Sequence, residues 1–236
     1  MMTSKVCMVT GVGEGNGRSV ARRFAREGYR VAMLARTRDA LDAFEAEIAG
    51  SKGYVCDVGD VGAMLSTVAA VRDELGPIDV LVHNAGSGVF ADFLSTTPEQ
   101  TEAAWRINTL GLLVLGQAAA EDMLKRGGGS IVVVGATAAL RGGANFTSFA
   151  SAKASQRSLA QSMARGLGPK GIHVSYVVID GLIDIPRVRA MDWARDMPDD
   201  AFLLPDAIAD AIWYLSEQPR STWTFELDLR PHRETW

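Results

Sequence analysis

A cluster of glycines within the first twenty residues is the clearest candidate for chemistry in this chain. Between a short apolar run and an amphipathic stretch the sequence reads Thr10-Gly11-Val12-Gly13-Glu14-Gly15-Asn16-Gly17. Glycines at a strand-to-helix junction let the backbone turn tightly and approach a pyrophosphate, whose charge is met by the helix N-terminus. Loops use glycine freely, so the position of the cluster predicts a dinucleotide site more strongly than its composition does.

Further polar residues follow the predicted strands or lie on predicted helices. They occur in Cys56-Asp57-Val58, His83-Asn84-Ala85-Gly86, Ile107-Asn108-Thr109 and Phe149-Ala150-Ser151-Ala152-Lys153. Each has an ordinary structural explanation: a helix N-cap for Asp57, a plain turn for residues 84–86, a solvated helix position for Asn108 and a surface position for Lys153.

Taken in order, these segments resemble the short-chain dehydrogenase/reductase family, whose glycine motif reads Thr-Gly-x-x-x-Gly-x-Gly. The resemblance covers nearly the whole chain and implies an NAD(P)(H)-dependent oxidoreductase that acts on a small carbonyl or alcohol substrate. It also implies which residues contact the dinucleotide: Gly11, Gly15, Asn16, Gly17, Arg36, Asp57, Val58, Asn84, Ala85, Gly86 and Lys153.

The catalytic positions depart from that family. The resemblance implies a tetrad of asparagine, serine, tyrosine and lysine, and the matching residues here are Asn108, Ala136, Phe149 and Lys153. Neither alanine nor phenylalanine has a proton to give. A general acid contributes about 10²–10⁴ in rate and an oxyanion donor about 10²–10³. The resemblance assigns the nicotinamide ribose to Lys153, and to Asn108 the support of a water that links the lysine to solvent.

No neighbouring side chain is a convincing replacement. Adjacent strand residues face opposite sides, so Thr137 would serve only if a turn began there. Ser148 and Ser151 are offset from residue 149 by about 100° and 200° on a helix. Tyr176 fits a buried aromatic residue, and His83 fits a structural role. Two hypotheses stay open: an atypical oxidoreductase, and a catalytically impaired dinucleotide-binding protein that serves as a sensor or partner subunit.

The residues after the second predicted strand bear on the choice of dinucleotide. An acid there holds the ribose hydroxyls of NAD(H) and repels a 2′-phosphate. This chain reads Leu34-Ala35-Arg36-Thr37-Arg38, and a guanidinium pairs well with phosphate. Glu14 weighs against that preference, because many phosphate-preferring relatives carry a basic residue there. We expect NADP(H) to be favoured over NAD(H), with Arg36 as the phosphate ligand.

The stretch after the sixth predicted strand also departs from the family. It reads Asp180-Gly181-Leu182-Ile183-Asp184-Ile185, where the resemblance implies Pro-Gly and a hydroxyl residue that binds the nicotinamide amide. The nicotinamide end of the site is therefore altered, while the adenine and pyrophosphate end is preserved. The irregular segment 182–204 is either a lid over the site or an ordinary surface loop.

Short β-branched runs alternate with longer helical stretches, which predicts a single α/β domain of Rossmann type. The expected sheet is parallel and doubly wound, with helices on both faces. Seven strands are predicted, at 6–10, 30–34, 53–56, 80–83, 131–134, 173–179 and 224–229. Helices are expected near 99–125 and near 149–166. Their apolar residues Leu112, Leu113, Leu115, Leu159 and Met163 suggest subunit packing as a homodimer or homotetramer, or they face the sheet.

Bulk properties exclude several classes of partner. The 236 residues carry a net charge of −4, which gives no basic field for nucleic acid or anionic lipid. No apolar run approaches the roughly 20 residues that span a bilayer. Cys7 and Cys56 lie in apolar runs without metal-ligand spacing, so no metal is expected. The N-terminus enters a strand directly, and we expect a cytoplasmic protein. The terminal Trp236 suggests a docked tail.

Overall fold

The computed structural model describes residues 4–235, so the expectation for Trp236 falls outside the described residues. Nine strands are present within the described residues: Val6–Thr10 (β1), Arg30–Ala35 (β2), Ser51–Val55 (β3), Val80–His83 (β4), Gly129–Val134 (β5), Ile172–Ile179 (β6), Leu182–Ile183 (β7), Phe202–Leu203 (β8) and Glu226–Leu229 (β9). Eight α-helices accompany them: Asn16–Arg26 (α1), Arg38–Glu47 (α2), Val61–Glu74 (α3), Pro98–Trp105 (α4), Gly111–Arg126 (α5), Thr147–Leu167 (α6), Pro186–Arg189 (α7) and Pro205–Ser216 (α8).

Seven of the strands form one parallel sheet in the order β3-β2-β1-β4-β5-β6-β9. Their side chains are apolar on both faces, as strands covered on both sides require. Two separate cores result. One, around Leu112 and Met64, lies under α3, α5 and α6, and the other, around Phe24 and Ile212, lies under α1 and α8. The predicted fold class is confirmed.

The strand order reverses between β1 and β4, because β1 continues to β2 on one side and pairs with β4 on the other. In open α/β sheets the crevice for a ligand forms at such a point, outside the carboxyl ends of the strands. The turns after β1 and β4 therefore define where the site lies.

The helix expected near 99–125 is confirmed in its extent, from Pro98 to Arg126, but it contains a π-helical turn that the sequence did not predict. Helix α4 ends at Trp105, a π-helical turn covers Arg106–Leu110, and α5 begins at Gly111. Within the turn, Asn108 Nδ2 donates to the Ala104 carbonyl at 2.8 Å and to the Ser87 carbonyl at 2.6 Å. A side-chain amide that bonds the backbone in this way competes with the regular helical ladder, and π-helical turns are frequent at functional sites.

The apolar side chains considered for subunit packing divide between the core and the surface. Leu112 and Leu115 are fully buried on the sheet side, and Leu113 is exposed. Leu159 and Met163 pack partly buried against the same core. The sheet-facing explanation therefore holds for Leu112 and Leu115.

Segment 182–204 is tied together at its base. Strands β7 and β8 pair in parallel through Leu182 with Phe202 and Ile183 with Leu203. Arg189 donates to both carboxylate oxygens of Asp184 at 2.7 and 2.9 Å and pairs with Asp199 at 3.0 Å. The two ends of this segment therefore lie side by side, and the residues between them form a loop that leaves the sheet and returns to the same place.

Candidate functional site

The turn from β1 to α1 requires glycine at two positions. Gly11 has φ +67°, and a Cβ there would lie 2.7 Å from the Cα of Ala85. A Cβ at Gly17 would lie 2.6 Å from the Gly11 carbonyl oxygen and 2.7 Å from the Cα of Val12. A Cβ at Gly13 would meet nothing within 4 Å. Gly11 therefore brings the end of β1 into backbone contact with the loop after β4, and Gly17 brings the start of α1 against the same turn.

Thr10 and Asn84 hold the two loops together. The buried Thr10 Oγ1 accepts from the backbone N–H of Asn84 at 3.1 Å and of Ala85 at 3.0 Å. Asn84 Nδ2 donates to the Gly11 carbonyl at 2.9 Å. Residues 84–86 are thus more than a plain turn. Sequence reasoning assigned no role to Thr10, although its hydroxyl at the end of a buried strand was an available signal.

A cleft of about 410 Å³ opens above these loops. Of the residues predicted to bind a dinucleotide, the cleft is lined by Gly11, Arg36, Asp57, Val58, Asn84, Ala85 and Gly86. Gly15, Asn16 and Gly17 adjoin it at the start of α1. The Asn16 side chain is buried, and its Oδ1 has no hydrogen-bond partner among residues 4–235.

The two arginines after β2 have different surroundings. Arg38 donates to Asp42 at 2.6 Å, to Glu45 at 2.7 Å and to the Gly53 carbonyl at 2.8 Å. Arg36 is exposed at the cleft and pairs with no carboxylate of the described chain. Only Arg36 is therefore available to an anionic ligand.

Asp57 is not the N-cap of α3. Its Oδ1 accepts from the Gly59 N–H at 2.9 Å, and the capping role belongs to Asp60, which accepts from Ala63 N–H at 3.0 Å. The exposed Asp57 carboxylate faces the cleft.

Lys153 is buried and not a surface residue. Its Nζ donates to the Val134 carbonyl at 2.9 Å and to Gln156 Oε1 at 3.1 Å. Burial lowers the pKa of Lys153 to about 7, because an ammonium group loses its hydration there. Lys153 Nζ and Asn108 Oδ1 would each lie 3.3 Å from a Cβ at Gly86, so both groups adjoin the inner end of the cleft.

Asn108 is also fully buried, and the solvated helix position considered for it is wrong. Its carbonyl accepts from Gln156 Nε2 at 3.0 Å, and its Oδ1 has no partner within the described part of the chain. Gln156 thus links Asn108 to Lys153. This residue was missed from the sequence, since nothing local marks a glutamine one turn beyond a lysine.

Phe149 belongs to an aromatic cluster beside Lys153. Its ring centre lies 5.9 Å from Lys153 Nζ, 6.0 Å from the Phe90 ring and 6.5 Å from the Phe146 ring. Ala136 is an extended residue after β5. Apolar groups therefore occupy both positions at which the resemblance implies hydroxyls.

The two serines that flank residue 149 are engaged elsewhere. Ser148 Oγ donates to the Val89 carbonyl at 3.2 Å, and Ser151 Oγ donates to the Ser148 carbonyl at 3.1 Å. Tyr176 is fully buried, and burial raises its pKa. Burial, with a smaller contribution from Lys153, lowers the pKa of His83 to about 3, so His83 is neutral near pH 7. A 3₁₀ turn begins at Thr137, so strand alternation does not fix the direction of its hydroxyl.

The segment after β6 reaches the glycine turn. A Cβ at Gly15 would lie 2.9 Å from Ile185 Cγ2, so Ile185 packs directly against that glycine. The buried Asp180 forms ion pairs with Arg141 at 3.7 Å and Arg230 at 3.6 Å. The apolar side chain of Ile185 thus borders the glycine turn. The carboxylate of Asp180, just after β6, is neutralised by two arginines.

Within residues 4–235, no helix has the length and apolar character needed to cross a membrane.

Comparison with known proteins gives consistent matches. The sequence profile described as "short chain dehydrogenase" matches residues 5–190. The 3-oxoacyl-[acyl-carrier-protein] reductase MabA of Mycobacterium avium is 33% identical over 189 residues, which cover 80% of this chain and 71% of the relative. A short-chain dehydrogenase from Rhodopseudomonas palustris is 35% identical, with a TM-score of 0.82 over 97% of this chain and 99% of that structure. A metagenomic short-chain oxidoreductase, solved in complex with NADP, is 26% identical, with a TM-score of 0.84 over 98% and 99% of the two chains. The chain therefore belongs to the short chain dehydrogenase family.

Proposed function

We propose that this protein is an atypical NADP(H)-dependent oxidoreductase that acts on a small carbonyl or alcohol substrate. The observation that carries the proposal is the meeting of Gly11, Asn84, Arg36 and Lys153 around one crevice at the carboxyl ends of β1 and β4. A metagenomic relative binds NADP, and the residues present here fit the same group.

The fit to a dinucleotide rests on the shape and polarity of the cleft. Gly11 and Gly17 have no room for a side chain, which keeps the backbone of this turn close-packed as a pyrophosphate site requires. Asn16 keeps a buried acceptor oxygen without a partner at the same turn, which can accept from a ribose hydroxyl but not bond a phosphate. In this proposal Asp57 and Val58, which line the cleft, hold the adenine end, and Lys153, which adjoins Gly86, holds the nicotinamide ribose.

The preference for NADP(H) rests on Arg36. It is exposed and unpaired within the described chain, and no acidic residue stands at the end of β2. An unpaired guanidinium can bind a 2′-phosphate. The ribose hydroxyls of NAD(H) would find no carboxylate at the end of β2 to hold them.

When bound, NADPH supplies a hydride. The chain's own residues bind and orient: Lys153 anchors the ribose, and the ring of Phe149 excludes water beside it. Phe149 and Ala136 supply no proton, so the proton must come from solvent, from the substrate or from an unidentified side chain. Orientation of substrate and cofactor still lowers the barrier to hydride transfer. Without a general acid, however, we expect turnover to be about 10²–10⁴-fold slower than in an enzyme that has one.

A second candidate function is a dinucleotide-binding sensor or partner subunit without turnover. The engagement of Ser148 and Ser151 with backbone carbonyls and the neutrality of His83 favour it. Segment 182–204 serves as a lid in either case, since Ile185 already contacts Gly15. Assembly as a homodimer or homotetramer and a cytoplasmic location stay predictions.

The test is single-turnover oxidation of NADPH by the full chain, mixed with a panel of aldehydes and ketones and followed by the absorbance of the reduced nicotinamide. Slow but protein-dependent oxidation with at least one substrate supports the oxidoreductase. Retention of NADPH by the protein with no oxidation on any substrate supports the sensor.

A further inference from the structure

We propose that Gln156 is a positioning residue, which clamps the ammonium group of Lys153 to the main-chain carbonyl of Asn108 and so makes the lysine a fixed anchor for the cofactor ribose. The inference deepens the proposed function and rests on it for the identity of the anchored group. The clamp itself rests on the contacts of Gln156.

Both ends of the Gln156 amide are used. Its Oε1 accepts from Lys153 Nζ at 3.1 Å, and its Nε2 donates to the Asn108 carbonyl at 3.0 Å. The side chain is 0% exposed, so solvent does not compete for either bond. The Asn108 carbonyl is part of the π-helical turn Arg106–Leu110, and the clamp therefore joins α6 to that turn.

Uncharged groups surround the ammonium. Besides Gln156 it contacts the Val134 carbonyl of β5 at 2.9 Å, and the Phe149 ring lies 5.9 Å away on its own helix. The titratable group that acts on it from β4 is His83, which is neutral. No carboxylate of residues 4–235 lies within ion-pair distance of Lys153. Each neutral acceptor therefore matters more than it would beside a carboxylate.

The clamp leaves one proton of the ammonium free. Lysine has three donors, and two are held by Val134 and Gln156. The third is left for a ribose hydroxyl at the inner end of the cleft. An amide neither gains nor loses a proton near neutral pH, so a proton from Lys153 has no onward path through Gln156. The family resemblance implies a water, supported by the asparagine, that links the lysine to solvent. In this chain the Gln156 side chain connects Lys153 to the Asn108 carbonyl instead.

The experiment compares Gln156→Glu and Gln156→Leu with the parent. The titration of Lys153 is followed by the NMR shift of its ε-carbon in the full chain without cofactor, and Lys153→Met identifies the signal. A carboxylate at position 156 stabilises the ammonium, so the midpoint should move to higher pH by about one unit or more. Leucine removes an acceptor from a buried cation, so the midpoint should move to lower pH.

Gln161 provides a matched control on the same helix, because it is half-buried and its side chain forms no hydrogen bond within the described chain. Gln161→Glu and Gln161→Leu should leave the Lys153 midpoint unchanged. A purely structural role for Gln156 would lower thermal stability without moving the midpoint in opposite directions. An unchanged midpoint in both Gln156 variants, or a rise in the leucine variant, overturns the proposal.

A second readout separates this inference from the proposed function. If Lys153 anchors the ribose, Gln156→Leu should weaken NADPH binding by roughly tenfold, the loss expected for a hydrogen bond to a charged group. If the midpoints shift as expected but even the parent fails to bind NADPH, the clamp stands and the proposed function fails. Binding that is undiminished in the leucine variant contradicts the anchoring role.

Discussion

The ammonium nitrogen of Lys153 lies 5.9 Å from the centre of the Phe149 ring, one helical turn away on α6. A cation over an aromatic face is stabilised electrostatically, but the ring has no proton to exchange with a substrate. This pairing preserves the position of the lysine while removing the acid that the family resemblance assigns to residue 149. Under the proposed function, the lysine still binds the cofactor while residue 149 supplies no proton.

That arrangement predicts a gain of activity on restoring the two hydroxyls. The double variant Phe149→Tyr with Ala136→Ser should reduce carbonyl substrates at least about 10²-fold faster than the parent, because it regains an acid and an oxyanion donor. Steady-state NADPH oxidation on a carbonyl panel measures this.

The matched control is Phe90→Tyr, which adds a phenol to a neighbouring ring whose centre lies 6.0 Å from that of Phe149. It should bring no comparable gain. A parent enzyme already as fast as the double variant would mean that an unrecognised acid operates in the native site.

Alanine should affect NADPH affinity differently at positions 17 and 13 of the glycine turn. Gly17→Ala places a Cβ 2.6 Å from the Gly11 carbonyl oxygen, and two backbone segments would have to separate. We expect NADPH affinity to fall at least about tenfold, since the turn would no longer fit the pyrophosphate. Gly13→Ala should bind like the parent, because a Cβ there meets nothing within 4 Å. Equal affinities of the two variants in calorimetry would place the phosphates elsewhere.

The fold and most of the residues that line the cleft could be predicted because their signals are local. The run Val6–Thr10 and the glycines after it are adjacent in sequence. The predicted sheet strands and the helices expected near 99–125 and 149–166 have ends within two residues of those observed. Periodicity could not show which apolar residues of α5 face the sheet, since Leu112, Leu113 and Leu115 are equally apolar.

The lysine clamp could not be predicted, because its parts meet only in three dimensions. Gln156 and Asn108 are 48 residues apart, and the π-helical turn that presents the Asn108 carbonyl leaves no mark in the helical period. The Thr10 hydroxyl likewise meets the backbone 74 residues further along the chain. Such polar contacts between distant segments depend on the register of packed elements.

His83 predicts a pH dependence of stability. Its pKa is lowered from 6.5 to about 3, first by burial and then by Lys153. Between pH 6.5 and 3 His83 is therefore protonated in the unfolded chain but not in the native state. The free energy of unfolding falls as the pH is lowered through this range.

Replacement of His83 by asparagine should reduce that slope by up to about 1.4 kcal/mol per pH unit. Urea unfolding of both proteins at several pH values between 4 and 7 measures it. Parallel stability curves for the two proteins would show that His83 takes up its proton in the native state as readily as in the unfolded chain.

The most direct test of the account is a calorimetric titration of the full chain with NADPH and with NADH. We predict that NADPH binds in the micromolar range and several-fold more tightly than NADH, that Arg36→Ala removes this preference, and that Arg38→Ala keeps it because Arg38 is held by Asp42 and Glu45. Failure of both nucleotides to bind the parent protein would contradict the central claim that this cleft is a dinucleotide site.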